Sequence, residues 1–309
     1  MDTPSSDLRS LVSILLPMAQ SCKPSFEGTI PFPYHGETFQ TFVKVYGDLK
    51  NRVPLVALHG GPGVSHHYLA CLSDLTSKYD FPVIVYDQIG NAGSTHLPDK
   101  PKTFWSIDLF IDELENLLSH FGISDEFSLL GQSWGGCLAM EFEVRRQPKG
   151  LKKVVLANSL ASFALWEQST MELAMTLPPE VGAALAGGMA NREKYWEALQ
   201  VFHSRHGCIV KPPPKEYYDS ILWVFGEHGD TTVADAEILK GWTIIDRLHL
   251  IKSSAFIING RKDIAQDFVV KPLFDGLTKV KWVTFEGSSH TPHLEERDKY
   301  MKLVAEFLQ

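Results

Sequence analysis

The sequence predicts an α/β protein: a mainly parallel sheet with helices on both faces and a helical segment inserted between its two parts. Three observations carry this. Strand-like apolar runs at 38–46, 54–58, 82–86, 127–130 and 153–157 alternate with stretches of helical apolar spacing at 107–121 and Trp134–Arg146, and such alternation places parallel strands under helical crossovers. Two more buried-strand runs, 255–259 and 280–285, follow late in the chain. Between the two groups, from 160 to 242, β-rich runs thin out and helix-forming stretches such as 164–177 and 192–203 take over, interrupted by Pro212-Pro213-Pro214. The expected division is a core of 1–159 and 243–309 carrying a helical cap of 160–242. A chain of 309 residues with 44% hydrophobic content is large enough to bury one such core plus the insertion.

Four of these core strand runs open into segments with chemical character. The run 54–58 leads into His59-Gly60-Gly61-Pro62-Gly63, a glycine-rich turn that lets main-chain N–H groups approach a substrate with no side chain in the way. The run 127–130 leads into Gly131-Gln132-Ser133-Trp134-Gly135, with a helical stretch directly after it. A serine there sits on a tight strand-to-helix turn whose flanking glycines avoid a Cβ collision. Ser133 is the candidate nucleophile, Gly61 and Trp134 are the candidate oxyanion donors, and His59 and Gly60 are candidate substrate contacts. An acid and then a histidine are expected after the serine, each just past a core strand. Run 255–259 opens into Gly260-Arg261-Lys262-Asp263, and run 280–285 into Glu286-Gly287-Ser288-Ser289-His290. Asp263 and His290 are the candidates because strand ends hold side chains firmly; Asp267 and His293 are their rivals. Most of the other ten histidines, His293 among them, read as surface or structural groups.

Together with Tyr86-Asp87-Gln88-Ile89-Gly90, Gly93-Ser94 and Gly287-Ser288-Ser289-His290, these segments resemble the proline iminopeptidase family of α/β-hydrolases. Within the insertion, Phe202-His203-Ser204-Arg205-His206-Gly207-Cys208 and Leu239-Lys240-Gly241-Trp242 resemble that family's cap and its junction with the core. The resemblance implies an α/β-hydrolase fold and release of an N-terminal residue from a peptide, amide or related small substrate through an acyl-enzyme on Ser133. It also implies two substrate-binding acids, one just after the triad aspartate and one ahead of the Leu239 stretch. Here those positions read Ile264 and, counting back from Leu239, Thr232. An ammonium desolvated without an anion costs several kcal/mol, so Asp230, Glu227 and Asp235 stand as alternative anchors. Three function classes follow: an exo-acting peptidase or amidase; alternatively an esterase or lactonase acting on a neutral small molecule, which Ile264 and Thr232 favour; and a non-catalytic binding fold, which the complete triad set disfavours.

Composition narrows the partners. Lys+Arg 29 against Asp+Glu 37 gives a net charge of −8 without a basic run, which offers no electrostatic footprint for nucleic acid or anionic membrane. Cys22, Cys71, Cys137 and Cys208 lack C-x-x-C spacing and read as free thiols in a reducing compartment. No cofactor or metal is implied. The apolar run at 11–19 follows Asp2 and Asp7, contains Pro17 and lacks a small-residue cleavage site; it reads as an amphipathic helix rather than a secretory signal, which places the chain in the cytoplasm. No apolar stretch approaches the ~20 residues needed to span a bilayer. Two or three of the cap aromatics Phe163, Trp166, Tyr195, Trp196, Phe202, Tyr217, Tyr218, Trp223 and Phe225 are expected to line an apolar substrate chamber.

Overall fold

The structure, a computed structural model, describes residues 22–226 and 229–309; the apolar run at 11–19 and Glu227 lie outside them. Eight strands form one sheet: β1 (Phe26–Tyr34), β2 (Glu37–Tyr46), β3 (Leu55–Leu58), β4 (Val83–Asp87), β5 (Phe127–Gln132), β6 (Leu151–Ala157), β7 (Ser254–Gly260) and β8 (Val280–Phe285). The helices are α1 (Ser73–Tyr79), α2 (Ile107–His120), α3 (Trp134–Arg146), α4 (Phe163–Ala174), α5 (Pro179–Ala186), α6 (Arg192–His206), α7 (Lys215–Phe225), α8 (Asp267–Gly276), α9 (Pro292–Glu295) and α10 (Arg297–Leu308). Strand order is β1-β2-β4-β3-β5-β6-β7-β8. β2 runs antiparallel to β1 and β4, and the remaining pairs are parallel.

Both faces of the sheet are buried, and the pleat sorts its residues between them. Val56 and Leu58 of β3 and Ile84 and Tyr86 of β4 join the apolar residues of α2, α3 and α8 in one cluster. Leu55, Ala57, Val83 and Val85 point the other way and pack with Leu75 of α1 and Tyr300, Met301 and Val304 of α10. The strand order reverses at β3, because the chain steps outward to β4 and then crosses back to β5. Open α/β sheets bind ligands outside the carboxyl ends of the strands at such a reversal, and the ends of β3 and β5 carry the two glycine-rich turns.

β1 has no counterpart among the predicted strands. Its segment contains Pro31 and Pro33, which read as strand breakers. They are tolerated because β1 is the sheet's edge and pairs with β2 alone. The prolines at 212–214 interrupt the helices as expected: they lie in the non-helical stretch between α6 and α7, and Pro214 is the residue preceding α7.

Helices α4 to α7 lie between β6 and β7. The chain leaves and returns side by side, with an antiparallel bridge between Ser162 and Thr243 and main-chain bonds from Phe163 N to Trp242 O (2.9 Å) and Ile244 N to Ala161 O (3.0 Å). Glu141 of α3 pins this neck. Its buried carboxylate accepts from Trp242 Nε1 (2.7 Å), Arg247 Nη2 (2.6 Å) and Arg145 Nε (2.7 Å). Burial alone would raise its pKa, but these bonds outweigh the desolvation and hold it below the usual carboxylate value.

Candidate active site

Ser133 occupies the turn between β5 and α3 with φ 54° and ψ −120°, a backbone region that non-glycine residues enter only where the surroundings enforce it. Here the main chain is held on both sides: Ser133 N donates to Ala157 O (2.9 Å), while Ser133 O accepts from Gly136 N (2.9 Å) and Ser159 Oγ (2.9 Å). A Cβ on Gly131 would come within 2.3 Å of Gly135 O, and one on Gly135 within 2.1 Å of Leu58 O. The serine is therefore set on a turn that no side chain could share at those two positions.

The turn after β3 packs directly against this elbow, and a Cβ on Gly60 would lie 2.6 Å from Gln132 Oε1. His59 is fully buried beneath it. Gln88 N donates to His59 Nε2 (3.0 Å), so the ring proton sits on Nδ1 and is given to Gly60 O (3.0 Å). The expected substrate contact is thus a strut, with both ring nitrogens committed to main chain. Gln88 extends the brace, accepting from Trp134 Nε1 at 2.7 Å. Burial lowers the His59 pKa from 6.5 to about 4. Native His59 then binds fewer protons than the unfolded chain between about pH 4 and 6.5, so this ring draws stability down as pH falls through that window. Its ring nitrogen NMR shifts should be unchanged between pH 7.5 and 5.5, and protonation within that interval would refute the strut.

A second chain of bonds joins three loops. Gly60 N donates to Tyr68 Oη (2.7 Å), Tyr68 Oη donates to Gln132 Oε1 (2.6 Å), and Gln132 Nε2 donates to His290 O (3.1 Å).

Asp263 follows β7 and His290 follows β8. Asp263 is fully buried. Its Oδ1 accepts from His290 Nδ1 (2.6 Å) and Ala265 N (2.9 Å), and its Oδ2 accepts from Asn158 Nδ2 (2.5 Å) and Gly260 N (3.3 Å). With Nδ1 donating to the carboxylate, His290 keeps Nε2 as an acceptor. The rivals sit elsewhere. Asp267 is half-exposed and bound to Arg261 (2.7 Å) and Asn259 (3.0 Å); His293 is buried between the rings of Tyr68 and Tyr300.

Two cavities meet at Ser133. The smaller, about 150 Å³, is lined by Ser133, Gly61, His290, Ile264 and the cap side chains Trp166, His203, Tyr217 and Ile221. The larger, about 720 Å³, is lined by Ser133, Gly61, Trp134, Phe163, Trp166, Tyr195 and the charged side chains Glu167, Glu237 and Lys240. Trp166 stands against the His290 ring at 5.5 Å between centroids. The end of α6 is tied to the histidine loop by His290 N to His206 O (3.2 Å) and Thr291 Oγ1 to Gly207 O (3.0 Å).

The chain matches the alpha/beta hydrolase fold family over residues 53–297. It is 33% identical over 280 residues to the proline iminopeptidase of Lactobacillus delbrueckii subsp. lactis, across 87% of this chain and 95% of that protein. It is also similar to the crystal structure of VinJ, with a TM-score of 0.84 and 38% identity over 92% of this chain and 98% of that one. The crystal structure of the Mycobacterium smegmatis proline iminopeptidase gives a TM-score of 0.80 and 35% identity over 92% and 97%. The chain belongs to the proline iminopeptidase-like family of α/β-hydrolases.

In this proline iminopeptidase-like hydrolase the two positions read as lost acids part company. Ile264 lines the smaller cavity. Thr232 lines neither cavity; its N–H caps the Asp230 carboxylate (2.9 Å). Asp230 is also taken up by His96 Nδ1 (2.6 Å) and Asp235 by Thr231 Oγ1 (2.7 Å), and neither residue lines either cavity. Among the described residues, none lining the smaller cavity is an acid. Its His203 is partly exposed as a residue, yet burial of the imidazole, with repulsion from His290 adding to it, lowers its pKa to about 4. Of the cap aromatics, Trp166 and Tyr217 line the smaller cavity, and Phe163, Trp166 and Tyr195 the larger. Sequence reasoning passed over Asn158 and Gln132, whose one visible signal was a place at a strand end, and Tyr68, which lies in the helical turn 66–72 and carried no such signal. The four cysteines are free thiols, three of them buried. Among the described residues no helix is long and apolar enough to cross a membrane.

Proposed function

We propose that this hydrolase removes a small terminal acyl or aminoacyl group from an amide through an acyl-enzyme on Ser133, with Asp263 and His290 completing the relay. The observation that carries this reading is the position of Ser133 in a wall common to a small apolar chamber and a large one, with the Asp263–His290 pair (2.6 Å) beside it. A cavity of about 150 Å³ holds a benzene-sized group, enough for one small residue at the end of a substrate. Ser133 Oγ adds to the carbonyl carbon while its proton passes to His290 Nε2. The main-chain N–H groups of Gly61 and Trp134 receive the developing oxyanion. The C–N bond breaks as His290 returns the proton to the leaving nitrogen, and water then releases the acid by the same route. Asp263 orients the imidazole and stabilises its positive charge. The proline iminopeptidase relatives favour a terminal residue such as proline as the acyl part.

The smaller chamber offers this substrate no carboxylate among the described residues, so a free ammonium would be desolvated unpaired. Capping the amine should therefore cost less than tenfold in kcat/KM. The test compares L-proline arylamide with its N-acetyl analogue and with simple aryl esters. A preference of a hundredfold or more for the free amine, about 2.7 kcal/mol, would overturn the neutral-chamber reading. The same absence of an anion supports the second reading, an esterase of a neutral small molecule, and faster turnover of the esters than of both amides, beyond their intrinsic reactivity, would favour it.

A further inference from the structure

We infer that the face between α4 and α5 is a subsite for an extended, uncharged apolar chain on the leaving side of the substrate, an inference that rests on the function proposed above. A groove of about 760 Å³ runs along this face, walled by Phe163, Trp166, Met171, Met175 and Leu185, with Glu167 as the one charged side chain lining it. Met171 and Met175 are the two most exposed large apolar side chains among the described residues, at 56% and 74%. Four positions apart, with Met175 the αR residue that caps α4, they fall on one side of that helix and its end. Exposed apolar surface gathered in a groove marks a binding site, and methionine adapts to chains of varied shape.

Continuity with the serine decides the occupant. Phe163, Trp166, Glu167 and Ala186 line both this groove and the large chamber that reaches Ser133. From Trp166 to Ala174 the helix rises about 12 Å, so a chain leaving the scissile bond has that length of apolar wall to follow. A peptide is a poor occupant, since its N–H and C=O groups would be desolvated against side chains that cannot pair with them. A carboxylate end would also face Glu167. The acyl part is limited to a small group by the small chamber, so the chemistry that fits is a small-acyl or aminoacyl amide of a long-chain amine.

The experiment measures kcat/KM for L-proline N-alkyl amides from butyl to dodecyl, each below its micellar concentration, and calorimetric binding of the same amides to the Ser133→Ala protein. The expected result is a rise in both of about twofold per methylene, roughly half the free energy of full burial. The rise should flatten in Met171→Glu and in Met175→Glu, each variant's own butyl amide serving as reference. Turnover of the series with no dependence on chain length in rate or binding would overturn the subsite and leave the proposed reaction standing. Binding that grows with chain length without turnover would retain the subsite and overturn the reaction. A concentration-dependent dimer of the wild-type chain that Met171→Glu dissolves would assign the groove to a second copy and overturn the inference.

Discussion

Ser133→Ala is expected to lower kcat by about four to six orders of magnitude while leaving the fold intact. The elbow depends on the backbone of residue 133: its N–H and C=O make the bonds to Ala157, Gly136 and Ser159, and alanine retains all of them. Thermal unfolding should shift by no more than a few degrees, and a fluorophosphonate probe should label the wild-type chain alone. His290→Ala should approach the same loss, and the double variant should be no slower than the slower single one, because members of a relay act as a unit. Labelling or near-normal turnover by Ser133→Ala would remove the serine from the mechanism.

The second large effect concerns the acid. Asp263→Asn is expected to lower kcat by about 10,000-fold. Four donors converge on this carboxylate: His290 Nδ1 and Ala265 N on one oxygen, Asn158 Nδ2 and Gly260 N on the other. An asparagine supplies one acceptor and one NH2, so whichever way it lies, one pair of donors meets another donor. If the NH2 faces His290, the imidazole must present its lone pair there and place its proton on Nε2, where it cannot take one from Ser133. Asp267→Asn disturbs only the half-exposed contacts to Arg261 and Asn259 and should change kcat by less than about threefold, in keeping with the small worth of exposed ion pairs. If Asp267→Asn were the inactive variant, the relay would have to be redrawn around it.

Legibility in the sequence followed the nature of the constraint. The turns after β3 and β5 were readable because close main-chain packing admits only glycine at Gly61, Gly131 and Gly135, and a glycine pattern survives in a one-dimensional string. Alternation gave the parallel strands and helices α2 and α3, since buried faces impose a period. β1 went unread because Pro31 and Pro33 are forbidden in the interior of a sheet and tolerated only at its edge, and which strand is the edge is a property of the assembled sheet. His59 was read as a substrate contact because it adjoins the glycine turn; its commitment to Gln88 and Gly60 is a contact between separate loops that spacing cannot encode. Thr232 was reached by counting residues, and a count fixes a place in the chain without fixing which way the side chain turns. Asn158 takes φ 53° without being glycine and so left no mark. Much of the walls of the two chambers comes from α4, α6 and α7, whose aromatic side chains carry no period tied to the serine.

The bonds running from Gly60 through Tyr68 and Gln132 to His290 have a consequence for how the site opens. Gly60 belongs to the loop after β3, Gln132 to the end of β5 and His290 to the loop after β8, so three segments distant in sequence are fastened in series by a tyrosine and a glutamine. The Gly60 amide hydrogen can reach solvent only when Tyr68 lets go, and that release frees the Gln132 carboxamide that holds the histidine loop. Slow exchange of this one amide hydrogen with deuterium thereby gauges the cooperative breathing of this whole edge of the sheet, and its rate sets an upper limit on how often the three loops come apart.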